Sequence, residues 1–347
     1  MKKYELTAEK TVNVFGVELF RIRALVAFTT TTGDEISIGD LGGFVQSEKN
    51  LNHSEKAWVS GNAKVWGDAK VSGNAKVWGN AKVWGNAEVW GNAEVWGDAK
   101  VWGNAEVWGN AEVWGNAKVW GDAKVSGNAK VWGNAEVWGD AKVWGDAKVW
   151  GNAEVWGNAE VWGNAEVWGN AKVWGDAEVW GNAKVWGNAK VWGDAEVWGN
   201  AEVWGDAKVW GDAKVWGNAE VWGNAEVWGN AKVWGDASIF STEHILTITP
   251  IGATANSVTF FRTKTREITV SFEWDLYTLD GFKNLFSQWG EKLKKTAQMA
   301  LDMATSHIDI SESPFGSCHE CEYEFNSELI NEYEIQYCPK CGTRIEK

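Results

Sequence analysis

The sequence predicts a parallel β-solenoid over residues 61–240, and three observations predict it. Thirty consecutive units share the pattern Gly-[Asn/Asp]-Ala-x-[Val/Ile]-x without an insertion. Within each unit, Ala and Val fall on one face of a short strand, and Lys or Glu and Trp fall on the other, because side chains alternate along a strand. Gly followed by Asn or Asp then makes a corner every sixth residue.

Other regular structures do not fit this period. A helix would place Gly and Asn in its interior every six residues, at up to about 1 kcal/mol each against Ala, and no 3.6-residue period exists. An array of hairpins would need strands of about four residues that lack sheet partners. Each strand is therefore expected to stack on its equivalent one turn later.

The repeat also resembles a known family. Read from its Val, the unit Val77-Trp78-Gly79-Asn80-Ala81-Lys82 matches the aliphatic-x-x-x-small-x rule of left-handed β-helices, the fold best known from bacterial acyltransferases. The resemblance implies three hexapeptides per 18-residue coil and a left-handed path. Ten coils of strands would then make a solenoid of roughly 48 Å.

A wider resemblance covers the flanks of the repeat. The segments 41–45, 260–264 and 268–271 are similar to uncharacterised hexapeptide-repeat proteins of phage and prophage origin. This implies a phage or prophage protein in the cytoplasm of a bacterial host.

Four regions follow from the change of pattern along the chain. The repeat is expected to be capped at both ends, because its terminal strands would otherwise expose unpaired edges. Thr278 is predicted to begin a helical segment after three strands in the third region. The regions are an N-terminal β cap (1–56), a hexapeptide-repeat β-helix (57–240), a small α+β domain (241–316) and a zinc ribbon (317–347).

The outward Trp residues form three ladders on an 18-residue coil. We name them the long ladder, with ten Trp, the second ladder, from Trp78 to Trp222 and on to Phe240, and the interrupted ladder, which contains Ser72 and Ser126 among eight Trp. Stacked indoles stabilise the solenoid along its axis, and wide aromatic faces also mark binding surfaces. The long ladder, our candidate binding site, consists of Trp66, Trp84, Trp102, Trp120, Trp138, Trp156, Trp174, Trp192, Trp210 and Trp228.

The remaining outward positions carry less information. The fourth position is Lys in 16 units and Glu in 13, which indicates a solvated flank with ion pairs across coils. The choice between Asn and Asp at the corners is interpreted as permissive. Calcium loops are not expected there, because the repeat lacks loops with several spaced carboxylates.

Charge and hydropathy restrict the partners. A net charge of −14 argues against nucleic acid, because phosphate contacts need clustered Lys and Arg. The sequence contains no apolar stretch of about 18 residues, so no membrane-spanning helix is predicted. We expect a cytoplasmic protein that binds a protein partner or itself.

Two C-x-x-C pairs near the C-terminus predict a metal site. Cys318, Cys321, Cys338 and Cys341 supply four thiolates for a tetrahedral structural Zn²⁺. Such a ribbon leaves no open coordination position, so the metal is expected to hold a small domain together.

Catalysis is not expected. The acyltransferases that the coil resembles use a His base and an extruded loop, whereas no His occurs between residues 54 and 243. His53, His244, His307 and His319 lie outside the repeat. The sequence therefore favours a non-enzymatic scaffold presenting Trp ladders. The alternatives are an acyltransferase-like enzyme and a ligand-sequestering or adhesin-like module that stacks rings or sugars on indole.

Overall fold

The repeat and the segment before it fold as a parallel β-solenoid of about 11 turns. A computed structural model describes residues 2–251 and 256–311, together with the backbone of 315–317 and 324–326. Each unit contributes one strand at its fourth and fifth positions, from Lys64–Val65 to Ser238–Ile239. All are two residues long except the longer strands Lys172–Gly175, Lys190–Gly193 and Lys208–Trp210.

The strands stack in register at an interval of 18 residues. Lys82 pairs with Lys64 on one side and with Lys100 on the other, and the same parallel register recurs on all three sheets. The backbone amides follow it, since the N–H of Lys142 donates to the carbonyl of Ala159 at 2.9 Å. The predicted coil of three units is confirmed.

Along most of its length, the interior of the solenoid contains only Val and Ala side chains. Val155 and Ala153 are fully buried, as are the equivalent residues of every coil between Ala75 and Val227. Alternation along the strand puts both residues on the inner face, so the predicted core is confirmed.

The N-terminal residues add a turn before the first complete unit. Strands Tyr4–Val12 and Glu18–Ala24 pair antiparallel, and Glu18–Ala24 pairs antiparallel with Leu41–Val45. Leu41–Val45 also pairs in parallel with Lys64–Val65, and Trp58–Val59 pairs in parallel with Lys76–Val77. The same segment therefore ends the cap and begins the solenoid. A small hairpin of Phe28–Thr29 and Glu35–Ile36 and a 3₁₀ turn, Glu48–Asn50, complete this end.

The C-terminal region forms an antiparallel sheet and two helices. The four strands, in sheet order, are Ile245–Ile251, Asn256–Arg262, Ile268–Phe272 and Asp275–Thr278. Helices α1 (Leu279–Ser287) and α2 (Glu291–His307) follow. The Thr278 hydroxyl accepts from the N–H of Gly281 at 3.1 Å, which confirms the predicted N-cap. A short Phe315–Ser317 strand pairs antiparallel with Glu324–Asn326.

The strand Asn256–Arg262 contributes side chains to two hydrophobic cores, that of the solenoid and that of the C-terminal region. Phe260 packs against the helices, together with Phe282 and Phe286, whereas Phe261 joins the core of the solenoid. The two neighbours face opposite ways because side chains alternate along a strand. The sheet therefore closes the end of the solenoid. In the ranges that the structure describes, no helix has the length and apolar character needed to cross a membrane.

Candidate binding surface formed by tryptophan ladders

The predicted ladders form as stacks of parallel indoles. The ring centroids of Trp138 and Trp156 lie 4.9 Å apart with parallel planes, and those of Trp120 and Trp138 lie 4.8 Å apart at 4°. Each internal indole is covered on both faces by its neighbours, so ring edges form the surface. Stacking along the axis is confirmed. It follows from strand spacing, since neighbouring strands lie about 4.8 Å apart.

All ten predicted site residues lie in one stack. The long ladder begins at Trp66, which packs against Leu19 and Phe44 of the N-terminal cap and is 6% exposed. It ends at Trp228, which is 59% exposed, with its centroid 6.2 Å from that of Trp210. A groove of about 520 Å³ lies beside Trp228, lined also by Ile245.

The long ladder also presents a row of hydrogen-bond donors. Nε1 of its indoles has no acceptor within the described part of the chain, and none of these nitrogens is buried. In the interrupted ladder, one indole at the C-terminal end has a partner, since Nε1 of Trp234 donates to the Ser271 hydroxyl at 3.2 Å. The long ladder therefore combines apolar ring edges with N–H groups at strand spacing, the amphipathic character that enriches Trp at interfaces.

Ion pairs link neighbouring coils, as the mixed signs at the fourth position predict. The Lys118 ammonium lies 2.6 Å from the Glu136 carboxylate, and Lys148 lies 2.8 Å from Glu166. Such exposed pairs contribute up to about 1 kcal/mol each. They moderate the apolar character of the flanks.

Runs of like charge interrupt this pairing. Burial raises the pKa of Glu178, and the carboxylates of Glu196 and Glu160 on either side raise it further. The longest run is basic. Lys64, Lys82, Lys100 and Lys118 follow one another in register beside the long ladder.

The first three of these lysines line a groove of about 280 Å³ with Trp66, Trp84 and the turn at residues 12–15. In that turn, Phe15 is 69% exposed and Val14 is 88% exposed. Like charges in register on adjacent strands repel one another, so the groove favours an anionic occupant. Sequence reasoning missed this run, although reading the fourth positions at intervals of 18 residues reveals it.

The corners form directional hydrogen-bond ladders in which both Asn and Asp act as acceptors. The Asn134 amide donates to the Asn152 side chain at 3.0 Å, and the Asn158 amide donates to the Asp176 carboxylate at 2.6 Å. Asp accepts from the coil before it but has no N–H to donate onward. A run of side-chain bonds therefore ends at each of four corners where Asp follows Asn, namely Asp122, Asp146, Asp176 and Asp206.

The histidines of the described ranges have structural partners in the caps. Nδ1 of His53 accepts from the Lys3 N–H at 3.2 Å, and the ring stacks on Tyr4. Nδ1 of His244 accepts from the Phe240 N–H at 3.2 Å. Burial lowers the pKa of His244 to about 4, with a further lowering by Arg262, so the ring is neutral at pH 7.

His307 lies near the carbonyl oxygen of Thr242, 3.4 Å from its Nε2. His319 and the four predicted zinc ligands, Cys318, Cys321, Cys338 and Cys341, lie outside the described residues. Elsewhere, among the residues that the structure describes, His, Cys, Asp and Glu form no group of three that could hold a metal ion.

No protein-family model matches this chain, and a search of curated proteins finds no significant match either.

Proposed function

We propose that this protein is a non-catalytic scaffold that binds a protein partner, or a second copy of itself, along the long ladder. The observation that carries the proposal is the uninterrupted row of ten indoles, nine of which, from Trp84 to Trp228, lie at the surface beyond the N-terminal cap. A row of donors spaced by about 4.8 Å matches the spacing of strands. A partner that is itself built from stacked strands would meet it in register.

The charge beside the long ladder indicates where contact begins. Lys64, Lys82 and Lys100 line the groove under the exposed ring of Phe15. A partner surface that combines carboxylates with apolar side chains is complementary to this groove. Because the whole chain carries a net charge of −14, this basic run also steers the orientation of an acidic partner.

The same proposal includes the handedness of the solenoid, the origin of the protein and its location in the cell. The resemblance of the repeat supports a left-handed coil and a phage or prophage protein in the bacterial cytoplasm. The acyltransferase alternative is weaker, because the described histidines are held by backbone and cap residues. Stacking of sugars or rings along the ladders is also weaker, because indoles inside a stack cover each other's faces.

Matched Trp variants test the interface. We expect Ser at Trp102, Trp120, Trp138 and Trp156 of the long ladder to weaken self-association or partner capture at least tenfold. Each replacement removes aromatic contact of about 0.5–1.5 kcal/mol from the stack. Sedimentation velocity and pull-down from host lysate measure association, and thermal melts measure stability.

The interrupted ladder supplies the control. Ser at Trp90, Trp108, Trp144 and Trp162 removes the same number of indoles from a face that already contains Ser72 and Ser126. The stability of this quadruple variant is expected to fall by a similar amount, and its association is expected to stay close to that of the wild type. If both quadruple variants associate like the wild type and differ from it only in melting temperature, the ladders are structural and the proposal is wrong.

The tail is proposed to bind one structural zinc through Cys318, Cys321, Cys338 and Cys341. We expect one Zn²⁺ per chain by atomic emission, and loss of that metal on Cys338→Ser. The far-ultraviolet circular dichroism of the solenoid is expected to stay unchanged, because the predicted ribbon is a separate domain. Ser72→Cys, a free thiol in the repeat, controls for adventitious binding. A metal-free wild type, or melting of the whole chain on chelation, would contradict this assignment.

A further inference from the structure

The interrupted ladder contains a gap with an indole on each side. Trp108 stacks on Trp90 at 5.0 Å, and Trp144 stacks on Trp162 at 4.9 Å. Between Trp108 and Trp144 the ladder position is occupied by Ser126. The inner faces of the two indoles are therefore directed toward each other across the place of one missing ring.

The width of the gap is set by the stack. Two steps of the solenoid separate Trp108 from Trp144, which is roughly 10 Å at strand spacing. A ring in the orientation of its neighbours would lie one ordinary ladder step from each indole. The backbone beneath is accessible, since Gly127 is the one exposed corner glycine among those from Gly73 to Gly235.

The other open indole faces have a single wall. Ser72 also replaces Trp in this ladder, but Asn52 occupies the equivalent position one turn earlier, as the pairing of Leu51 with Val71 indicates. Trp228 ends its ladder with one neighbouring indole, Trp210. Only the gap at Ser126 offers two facing indoles within the solenoid, all of which the structure describes.

We propose that the gap at Ser126, defined as the Ser126 slot, binds one planar aromatic small molecule of about the size of indole. Stacking on two faces gives an aromatic ring contacts that neither wall provides alone. Filling the slot also covers two indole faces that water otherwise contacts. The Ser126 hydroxyl at its base supplies a donor or an acceptor for a polar atom on the ring edge.

This inference goes beyond the proposed scaffold function and does not depend on it. The slot lies on the interrupted ladder, whereas the proposed interface lies on the long ladder. Ser126→Trp fills the slot and leaves all ten indoles of the long ladder in place. Its consequences for ring binding can therefore be separated from those for association.

The test is titration of the full-length protein with 5-fluoroindole, followed by ¹⁹F NMR. We expect saturable binding to the wild type and at least tenfold weaker binding to Ser126→Trp. Ser72→Trp adds the same indole at the one-walled gap and is expected to bind the probe like the wild type. Trp102→Ser opens a matched slot between Trp84 and Trp120 and is expected to add a second site.

Equal binding of 5-fluoroindole by the wild type and Ser126→Trp would overturn the proposal. So would a folded Trp102→Ser variant that gains no site, because its slot reproduces both walls. Folding of each variant is checked by circular dichroism. Ser126→Trp restores the commonest residue of that repeat position, so it provides a decisive comparison even where Trp102→Ser fails to fold.

Discussion

Replacing Val155 with Asp is expected to unfold the middle of the solenoid, with a loss of stability above about 4 kcal/mol. Val155 is fully buried and pairs in register with Val137 and Val173 on the adjacent coils. An aspartate at this position would point into an interior lined by Val and Ala, where no donor or cation is available to it.

The cost has two components. The apolar contacts of the valine are lost, and the new carboxylate either stays charged without a partner or takes up a proton at a raised pKa. Because every coil contacts only its neighbours, the damage interrupts the continuous core between the two ends. Far-ultraviolet circular dichroism during urea titration measures the loss.

Glu154→Asp is the matched control, since it places the same side chain one residue earlier and on the outer face. Glu154 contacts Lys172 at 3.1 Å, and that exposed pair is expected to contribute less than about 1 kcal/mol. Similar midpoints for Val155→Asp and Glu154→Asp would mean that water or polar groups reach the interior, contrary to the packing described above.

The parts of the fold that the sequence predicted are those set by a local period. Alternation places Val155 inside and Trp156 outside, and recurrence at 18 residues brings Trp138, Trp156 and Trp174 into one stack. The alternation follows from strand geometry, whereas the 18-residue coil is what the resemblance of the repeat to left-handed β-helices implies. Together they assigned the ten indoles of the long ladder residue by residue before the structure was known.

The features that the sequence did not predict depend on pairing outside the period. Leu41–Val45 begins the solenoid because it pairs with Glu18–Ala24 and Lys64–Val65 at once, and no repeat pattern marks it. Phe261 closes the core although its neighbour Phe260 faces the helices. Such contacts join segments that are distant along the chain.

The sequence predicted the chemistry of the surface only in part. The charge at the fourth position of each unit is visible in the sequence. The run from Lys64 to Lys118 appears only when these positions are compared one coil apart. The direction of the corner ladders is visible in the atomic positions, in which the Asn158 side-chain N–H donates a hydrogen bond to the Asp176 carboxylate. Likewise, the sequence does not show which indoles expose a ring face and which expose only a ring edge, because this depends on how the rings stack.

Gly133→Ala is expected to lower stability by about 2–4 kcal/mol, although it adds a single methyl group. Gly133 has a φ of +72°, which disfavours any residue with a Cβ. An added Cβ would also lie 3.0 Å from the amide nitrogen of Gly151 and 3.1 Å from its carbonyl oxygen on the next coil. Both atoms are backbone, so relief requires the coils to separate.

Gly229→Ala isolates the conformational part of this effect, so the difference between the two variants gives the steric part. Gly229 has a φ of +62°, and a Cβ there would meet no atom within 4 Å, because the stack ends at this corner. Its cost is therefore limited to backbone strain of about 1–2 kcal/mol. Thermal and urea unfolding of both variants measure the difference. If Gly133→Ala costs no more than Gly229→Ala, contact between stacked corners does not select glycine, and the conformational preference alone accounts for its recurrence every six residues.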